Sequence, residues 1–427
     1  MKHAIRSDVR PRELWAWAMY DFANSGYTTV VITALFNAYF VAVVAGNAVW
    51  ATFAWTAALS VSYALVMAGA PVIGAYADQH AAKKKLLAIT TAGCVLFTAL
   101  LYFAQPETLW LAILLVIASN FFFGCGENLI AAFLPELSQV RGLGRVSGWG
   151  WSLGYLGGLT TLGLCLAYVT WAEGQGQGAA QFVPVTMLIT AATFALASLP
   201  TFLFLRERAL PRTTQGVPLR DAWREVWRTL QQQRQFADLR RFLLCSLFYQ
   251  AGIQATITLA AVYATQAMGF TTREALLLIV IVNITAAVGA LLFGHLQDRI
   301  GHVRAIALTL LGWIATVLMA WAAEEPPLFW AAANLAGLCL GSAQSSGRAL
   351  VGALAPPSRL AEFFGFWGLS VKLSSIAGPL TYGATTWLTQ GDHRRALLLT
   401  GAYFVVGLIL LAGVNVPRGR RAALRAG

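Results

Sequence analysis

The sequence predicts an all-α integral membrane protein with twelve transmembrane helices in two pseudo-symmetric six-helix bundles. Three observations carry that reading. Of 427 residues, 58% are apolar and only 11% charged, whereas a soluble globular domain carries about 25% charged residues. Twelve stretches supply the roughly 20 predominantly apolar residues that a span requires. A long basic segment divides these stretches six and six, and a polar motif recurs at matching places in the two halves.

The spans are read, in order, at about 15–45, 49–77, 86–105, 109–135, 147–172, 182–205, 242–268, 274–297, 305–323, 328–350, 362–388 and 394–414. Turn chemistry separates them. Gly46 and Asn47 follow the first span, and Gln105, Pro106 and Glu107 follow the third. Glu324, Glu325, Pro326 and Pro327 close the ninth, and Gln390, Gly391 and Asp392 the eleventh. The expected organisation is an N-terminal bundle over 1–205, a linker over 206–241 and a C-terminal bundle over 242–427.

Basic residues set the expected orientation. Of the 30 Lys and Arg, 26 fall on one side: the N-terminus, Lys83 to Lys85, Arg141 and Arg145, nine arginines of the linker, Arg299, Arg304, Arg348, Arg359 and the tail. Only Arg273, Arg394 and Arg395 fall on the other, and Lys372 lies within a span. Loops on the cytoplasmic side are enriched in Lys and Arg, so both termini are expected there. The expected location is the plasma membrane, or the inner membrane of a Gram-negative cell, crossed many times by a chain acting as a monomer. Met1 to Glu13 is hydrophilic and the first apolar stretch is long, so no cleavable signal is expected.

In the linker, Leu219, Ala222, Trp223, Val226, Trp227 and Leu230 recur at helical spacing, with Arg220, Arg224 and Arg228 on another face. This predicts an amphipathic helix lying along the cytoplasmic leaflet, its arginines toward anionic headgroups.

Several classes of function are disfavoured. The five cysteines lie in apolar stretches with no C-x-x-C pair, which gives neither a disulfide framework nor a zinc site. The five histidines form no ligand cluster. The excess of basic residues follows the membrane topology, so nucleic acid is not an expected partner. No phosphate-binding G-x-x-x-x-G-K-[ST] is present, so energy from a proton gradient is expected in place of a bound cofactor. A membrane enzyme would need a catalytic cluster, and a sensor an appended soluble domain; the sequence shows neither.

The repeat lies between the second and third spans of each half. The first copy carries Gly74, Asp78, Gln79, Ala81 and Lys84, and the second Gly294, Asp298, Arg299, Gly301 and Arg304. Two such halves are an architecture of transporters that bind substrate near the midplane. The second copy, G-x-x-x-D-R-x-G-x-x-R, resembles the signature of the major facilitator superfamily; the first departs at Gln79 and Ala81. Trp15, Tyr20, Asp21, Asn24 and Ser25 resemble the opening of the "unknown major facilitator" branch, related to vacuolar autophagy-linked amino-acid effluxers. Leu134 to Leu137, Gly144 to Gly148, Gly154 to Gly158 and Ala361 to Phe366 extend the resemblance over most of the chain. It implies the major facilitator fold and export or exchange of small metabolites. In each loop, Gly permits close helix approach and Asp is expected to cap or salt-bridge the next helix, latching one conformation. Gln79 and Ala81 predict a weaker first latch.

Charge inside a span costs several kcal/mol, so such groups face the bundle interior or a wet cavity. Asp21 is expected to share a face with Asn24, Ser25 and Thr28. Glu127 lies beside Asn120, Gly124 and Asn128, and Lys372 shares a stripe with Gly365, Gly368, Ser375 and Pro379. Asp21 or Glu127 is the candidate proton-coupling carboxylate, with Lys372 as its cation. The alternatives are a permanent ion pair or, for Asp21, a polar cap near the membrane face. Tyr249, Gln250, Gln254, Asn283, Asn334 and Gln344 are candidate substrate-path residues, packing hydrogen bonds being the alternative. Arg348, near the cytoplasmic end of the tenth span, is read as a side chain reaching for the interface, a gate being the alternative. Gly150, Gly154 and Gly158 form a small-residue ridge for helix packing.

The expectation is a secondary transporter of a small polar or zwitterionic metabolite, because both signs of charge and several amides are present. Efflux of an amphipathic drug or lipid is the alternative.

Overall fold

The computed structural model describes residues 4–211, 219–231, 235–266, 268 and 270–426. Within these residues the chain is helical, and its one β-bridge pairs Ile5 with Ser138. In chain order the helices are α1 (Pro11–Val44), α2 (Ala51–His80), α3 (Lys83–Leu100), α4 (Leu109–Ala131), α5 (Leu143–Gly174), α6 (Ala179–Phe204) and α7 (Leu219–Gln231). There follow α8 (Ala237–Gln266), α9 (Thr272–Ile300), α10 (His302–Ala322), α11 (Pro326–Leu354), α12 (Leu360–Leu388), α13 (His393–Ala412) and α14 (Val416–Ala426). Among the described residues, α1 to α6 and α8 to α13 are helices at the places of the twelve expected spans, together with two short amphipathic elements, α7 and α14. Sequence reading treated the second only as a basic tail.

Nine of the described helices are long and apolar enough to cross a membrane by composition alone. Helices α11 and α12 are as long but less apolar, because they bury polar groups such as Ser345, Arg348 and Lys372 against neighbouring helices; several side chains of α8 lie outside the described residues.

The turns follow their chemistry. Gly46 and Asn47 both have positive φ, as do Gln390 and Gly391, which is the left-handed region that ends helices sharply.

Packing repeats between halves. Helix α1 packs on α5 and α6, α2 on α4, and α3 on α4 and α6. Their counterparts do the same: α8 on α12 and α13, α9 on α11, and α10 on α11 and α13. The internal repeat is therefore one of tertiary structure, with two pseudo-symmetric six-helix bundles. They meet along α5 with α9 and α11, and along α12 with α2 and α4.

Small residues make the closest crossings. A Cβ on Gly74 would strike the backbone of Ala361 and Glu362, and one on Gly365 that of Ala70 and Pro71. Gly144 and Gly148 pack on Gly294 and Ala290 in the same way. These contacts lie where the two repeated loops sit, so that end of the molecule is closed. The ridge of Gly150, Gly154 and Gly158 packs against Asp21, Ser25 and Thr29 of α1, as its spacing predicted.

The linker helix departs from expectation. Ala222, Val226 and Thr229 are buried against α2, so part of the predicted lipid face is docked on the protein. Its neighbours at 212–218 and 232–234, and the side chains of Leu219, Arg220 and Leu230, lie outside the described residues.

Candidate functional site

The two repeated loops close one end by a symmetric device. Asp78 accepts hydrogen bonds from the backbone N–H groups of Ala361 (3.1 Å) and Glu362 (2.9 Å) at the start of α12. Asp298 accepts from Gly144 (3.0 Å) and Arg145 (3.2 Å) at the start of α5. The first N–H groups of a helix have no partner within it, and the helix dipole favours an anion there. Each carboxylate therefore caps a helix of the opposite half. This corrects the expectation that it would cap the next helix. That role at α3 falls to Glu207, which accepts from the N–H groups of Lys83 (2.8 Å) and Lys84 (3.0 Å).

Gly301 has φ +92° and Ala81 φ +50°, so both copies need a left-handed residue at this point, and Ala81 adopts it at a steric cost. Asp78 nevertheless makes the same two-bond cap, so the departures at Gln79 and Ala81 do not remove the first latch. Lys84 donates to Leu205 O at 2.7 Å within its own half. Arg299 and Arg304 are exposed, while Arg145 lies 3.7 Å from Asp298.

Deeper in the molecule, two ion pairs join the halves. Arg348 on α11 donates to Asp21 on α1 at 2.7 Å. It also donates to Ser147 Oγ (3.0 Å) and Ser147 O (2.9 Å) on α5, and Ser147 Oγ donates to Ser345 O at 2.8 Å. The guanidinium lies over the rings of Trp17 (4.7 Å) and Trp151 (5.4 Å). A Cβ on Gly150 would fall on Asp21 Oδ2 and 2.6 Å from Arg348 Nη2, so glycine there makes room for the pair. Arg348 is only 2% exposed. The expectation of a side chain reaching for the interface is wrong, because a carboxylate 327 positions away in sequence and a serine of a third helix satisfy it inside.

The second pair is Lys372 on α12 with Glu127 on α4, at 3.2 Å. The ammonium lies 5.6 Å from the rings of Tyr63 and of Phe123, a cation–π cradle. Glu127 retains 30% side-chain exposure, so this pair is reachable where the first is sealed. Beside it Asn128 packs on Gly368, and its buried Nδ2 has no hydrogen-bond partner among the described residues.

The other candidates divide. Asn24 is buried next to Ser25, whose hydroxyl donates to Asp21 O at 2.8 Å. Thr28 is exposed and stands where α1 turns π-helical over Thr28–Ala34; the wider turn rotates the residues that follow out of α-helical register. Asn120 donates to Ser62 Oγ at 2.9 Å, a packing bond. Gln250 and Gln344 join α8 to α11 at 3.1 Å, with Tyr249 buried beside them and Gln254 half-buried. Asn283 and Asn334 each donate to a carbonyl one turn back in their own helix at 2.8 Å. Among the described residues no cluster suited to a metal ion occurs, and the five cysteines are free and buried.

A family model described as "Vacuole effluxer Atg22 like" matches residues 39–424. The chain belongs to that family. An uncharacterized MFS-type transporter of Bacillus subtilis, YxiO, is 28% identical over 413 residues, covering 93% of this chain and 94% of that one. Autophagy-related protein 22-1 of Neosartorya fischeri is 27% identical over 331 residues, 70% of this chain. The chain spans about half the length of that fungal relative, 54%. Among solved structures, the human organic anion transporter MFSD10 superposes with a TM-score of 0.74 at 17% identity, covering 94% of this chain and all of that one. The proton:xylose symporter XylE gives 0.73 at 13% identity, covering 94% and 95%. At such identities the likeness is one of fold, and that fold is the major facilitator fold of transporters. The Atg22-like chain is thus a multi-pass membrane transporter, not an enzyme.

Sequence reading missed Ser147, Trp17 and Trp151 as partners of Arg348. One signal was available: Arg348 lies within an apolar stretch among serines and glycines, as buried intramembrane charge does.

Proposed function

We propose that this Atg22-like protein is a secondary active transporter. It moves a small polar or zwitterionic, amino-acid-like metabolite by alternating access, coupled to the proton gradient. One observation carries the reading: two ion pairs inside the membrane region each join a carboxylate of one half to a cation of the other. Neither survives a separation of the halves, so both are tied to the conformational cycle. Breaking a buried pair costs several kcal/mol unless the charges find new partners. A zwitterion supplies them at the accessible pair, its ammonium competing for Glu127 and its carboxylate for Lys372. Tyr63, Phe123 and Asn128 then shape the pocket, with Gln250, Gln254 and Gln344 further along the path.

The sealed Asp21–Arg348 pair serves as a lock beneath that site. Proton uptake at Asp21 or Glu127 loosens the corresponding pair and couples the gradient to the cycle. Asp78 and Asp298 latch the closed end. With the basic loops inside, that end and both termini face the cytoplasm, and direction follows the family's effluxers. The segment 206–241 joins the bundles of 1–205 and 242–427, and the chain works as a monomer in the plasma membrane.

Thermal stabilisation of the purified protein against a metabolite panel, at about pH 5.5 and 7.5, tests this, since a ligand of the folded form raises its apparent stability by mass action. A pH-dependent amino-acid hit that Lys372→Gln abolishes is expected. Stabilisation by amphipathic compounds alone would overturn the zwitterion reading.

A further inference from the structure

Helix α7 is tied to both halves at the closed end. Ala222, Val226 and Thr229 recur on one face and are buried against α2. Thr229 Oγ1 donates to Glu362 Oε1 at 2.6 Å. Arg359 binds Glu362 at 2.8 Å and lies 3.5 Å from Glu225 of α7. The N–H of Glu362 is one of the two that Asp78 captures. The linker helix thus straddles the seam between α2 and α12 that must part for this end to open.

A second face of α7 is turned outward. Trp223 and Trp227, one turn apart, are 52% and 63% exposed. Arg224 and Arg228 lie next to them around the helix and are exposed too, Arg224 within 3.0 Å of Asp221. Paired exposed tryptophans are costly in water and at home at headgroup level, and flanking arginines complement anionic headgroups. The same end presents Arg141, Arg299 and Arg304 as exposed cations.

We propose that Trp223, Trp227, Arg224 and Arg228 form a docking surface for anionic phospholipid, and that lipid seated there holds α7 across the seam and favours the closed end. The proposal rests on the transporter reading only for the orientation of this end toward the inner leaflet. Its test contains no transport step, so its failure leaves that reading standing.

All five native cysteines are buried, so Trp227→Cys accepts bimane selectively. In nanodiscs of phosphatidylcholine, with or without phosphatidylglycerol as roughly a third of the lipid, acrylamide quenching of the label is expected to fall about twofold when the anionic lipid is present. Arg224→Gln with Arg228→Gln should remove that difference. Equal quenching in both lipids, or an undiminished difference in the arginine variant, overturns the docking surface. The clamp is read by hydrogen exchange at Ala361 and Glu362. Phosphatidylglycerol should slow exchange there in the native protein and not in Thr229→Val; equal slowing in both would overturn it.

Discussion

Ala81 and Arg348 show where chemistry at single residues outweighs pattern. A non-glycine residue at φ +50° carries a left-handed penalty of roughly 1 kcal/mol that glycine escapes. Ala81→Gly is therefore expected to stabilise the protein by about 1 kcal/mol, read as a rise in melting temperature in detergent; a fall would show that the methyl contributes packing outweighing the strain. Arg348→Gln strips a buried carboxylate of its cation and should cost about 3–5 kcal/mol. Asp21→Asn should cost less when combined with it than when made alone, so the double-mutant cycle reports coupling; additive losses would mean the pair contributes nothing beyond its members. Gly150→Ala tests the same node without touching charge. A methyl there meets Asp21 and Arg348 together, and the variant should destabilise where Gly163→Ala, in open space, does not.

At the scale of elements, the helices were legible and their partners less so. Spans announce themselves by length and apolarity, and turns by Gly, Asn and Pro, because these are local properties of the chain. The linker helix was legible as amphipathic, yet periodicity cannot tell a lipid-facing from a protein-facing apolar stripe, so the docking of Ala222 and Val226 was not. The latch aspartates were legible as a repeat, but their acceptance from helices about 150 and 280 residues away depends on tertiary placement. Arg348 was misread for the same reason. Helix α14 escaped notice because its basic residues masked its structure; Arg418 pins it to Asp238 at 2.6 and 2.7 Å. That hydrogen bonding to Arg418 holds the Asp238 carboxyl below the usual carboxylate range. A lowered folded-state pKa contributes stability in full above the unfolded value near 4 and loses it as pH falls through the folded value. Hydrogen exchange over 416–426 should therefore quicken below about pH 4 relative to Asp238→Asn, which lacks the titrating group. Parallel profiles for the two proteins would show that the tether does not hold α14.

The whole molecule repeats its packing between halves, and its charges are arranged across the plane where those halves meet. One pair is sealed and the other reachable, an arrangement suited to a lock below a binding site. Glu127 and Lys372 were singled out from sequence because charge in a span is costly, and they meet at 3.2 Å. The most direct measurement is uptake of labelled amino acids into proteoliposomes, with and without an imposed proton gradient, for the native protein and Glu127→Gln. The account predicts gradient-driven accumulation by the native protein. It further predicts that Glu127→Gln loses this accumulation while counterflow exchange continues. Accumulation undiminished in Glu127→Gln, or no amino-acid movement by the native protein in either format, would contradict it.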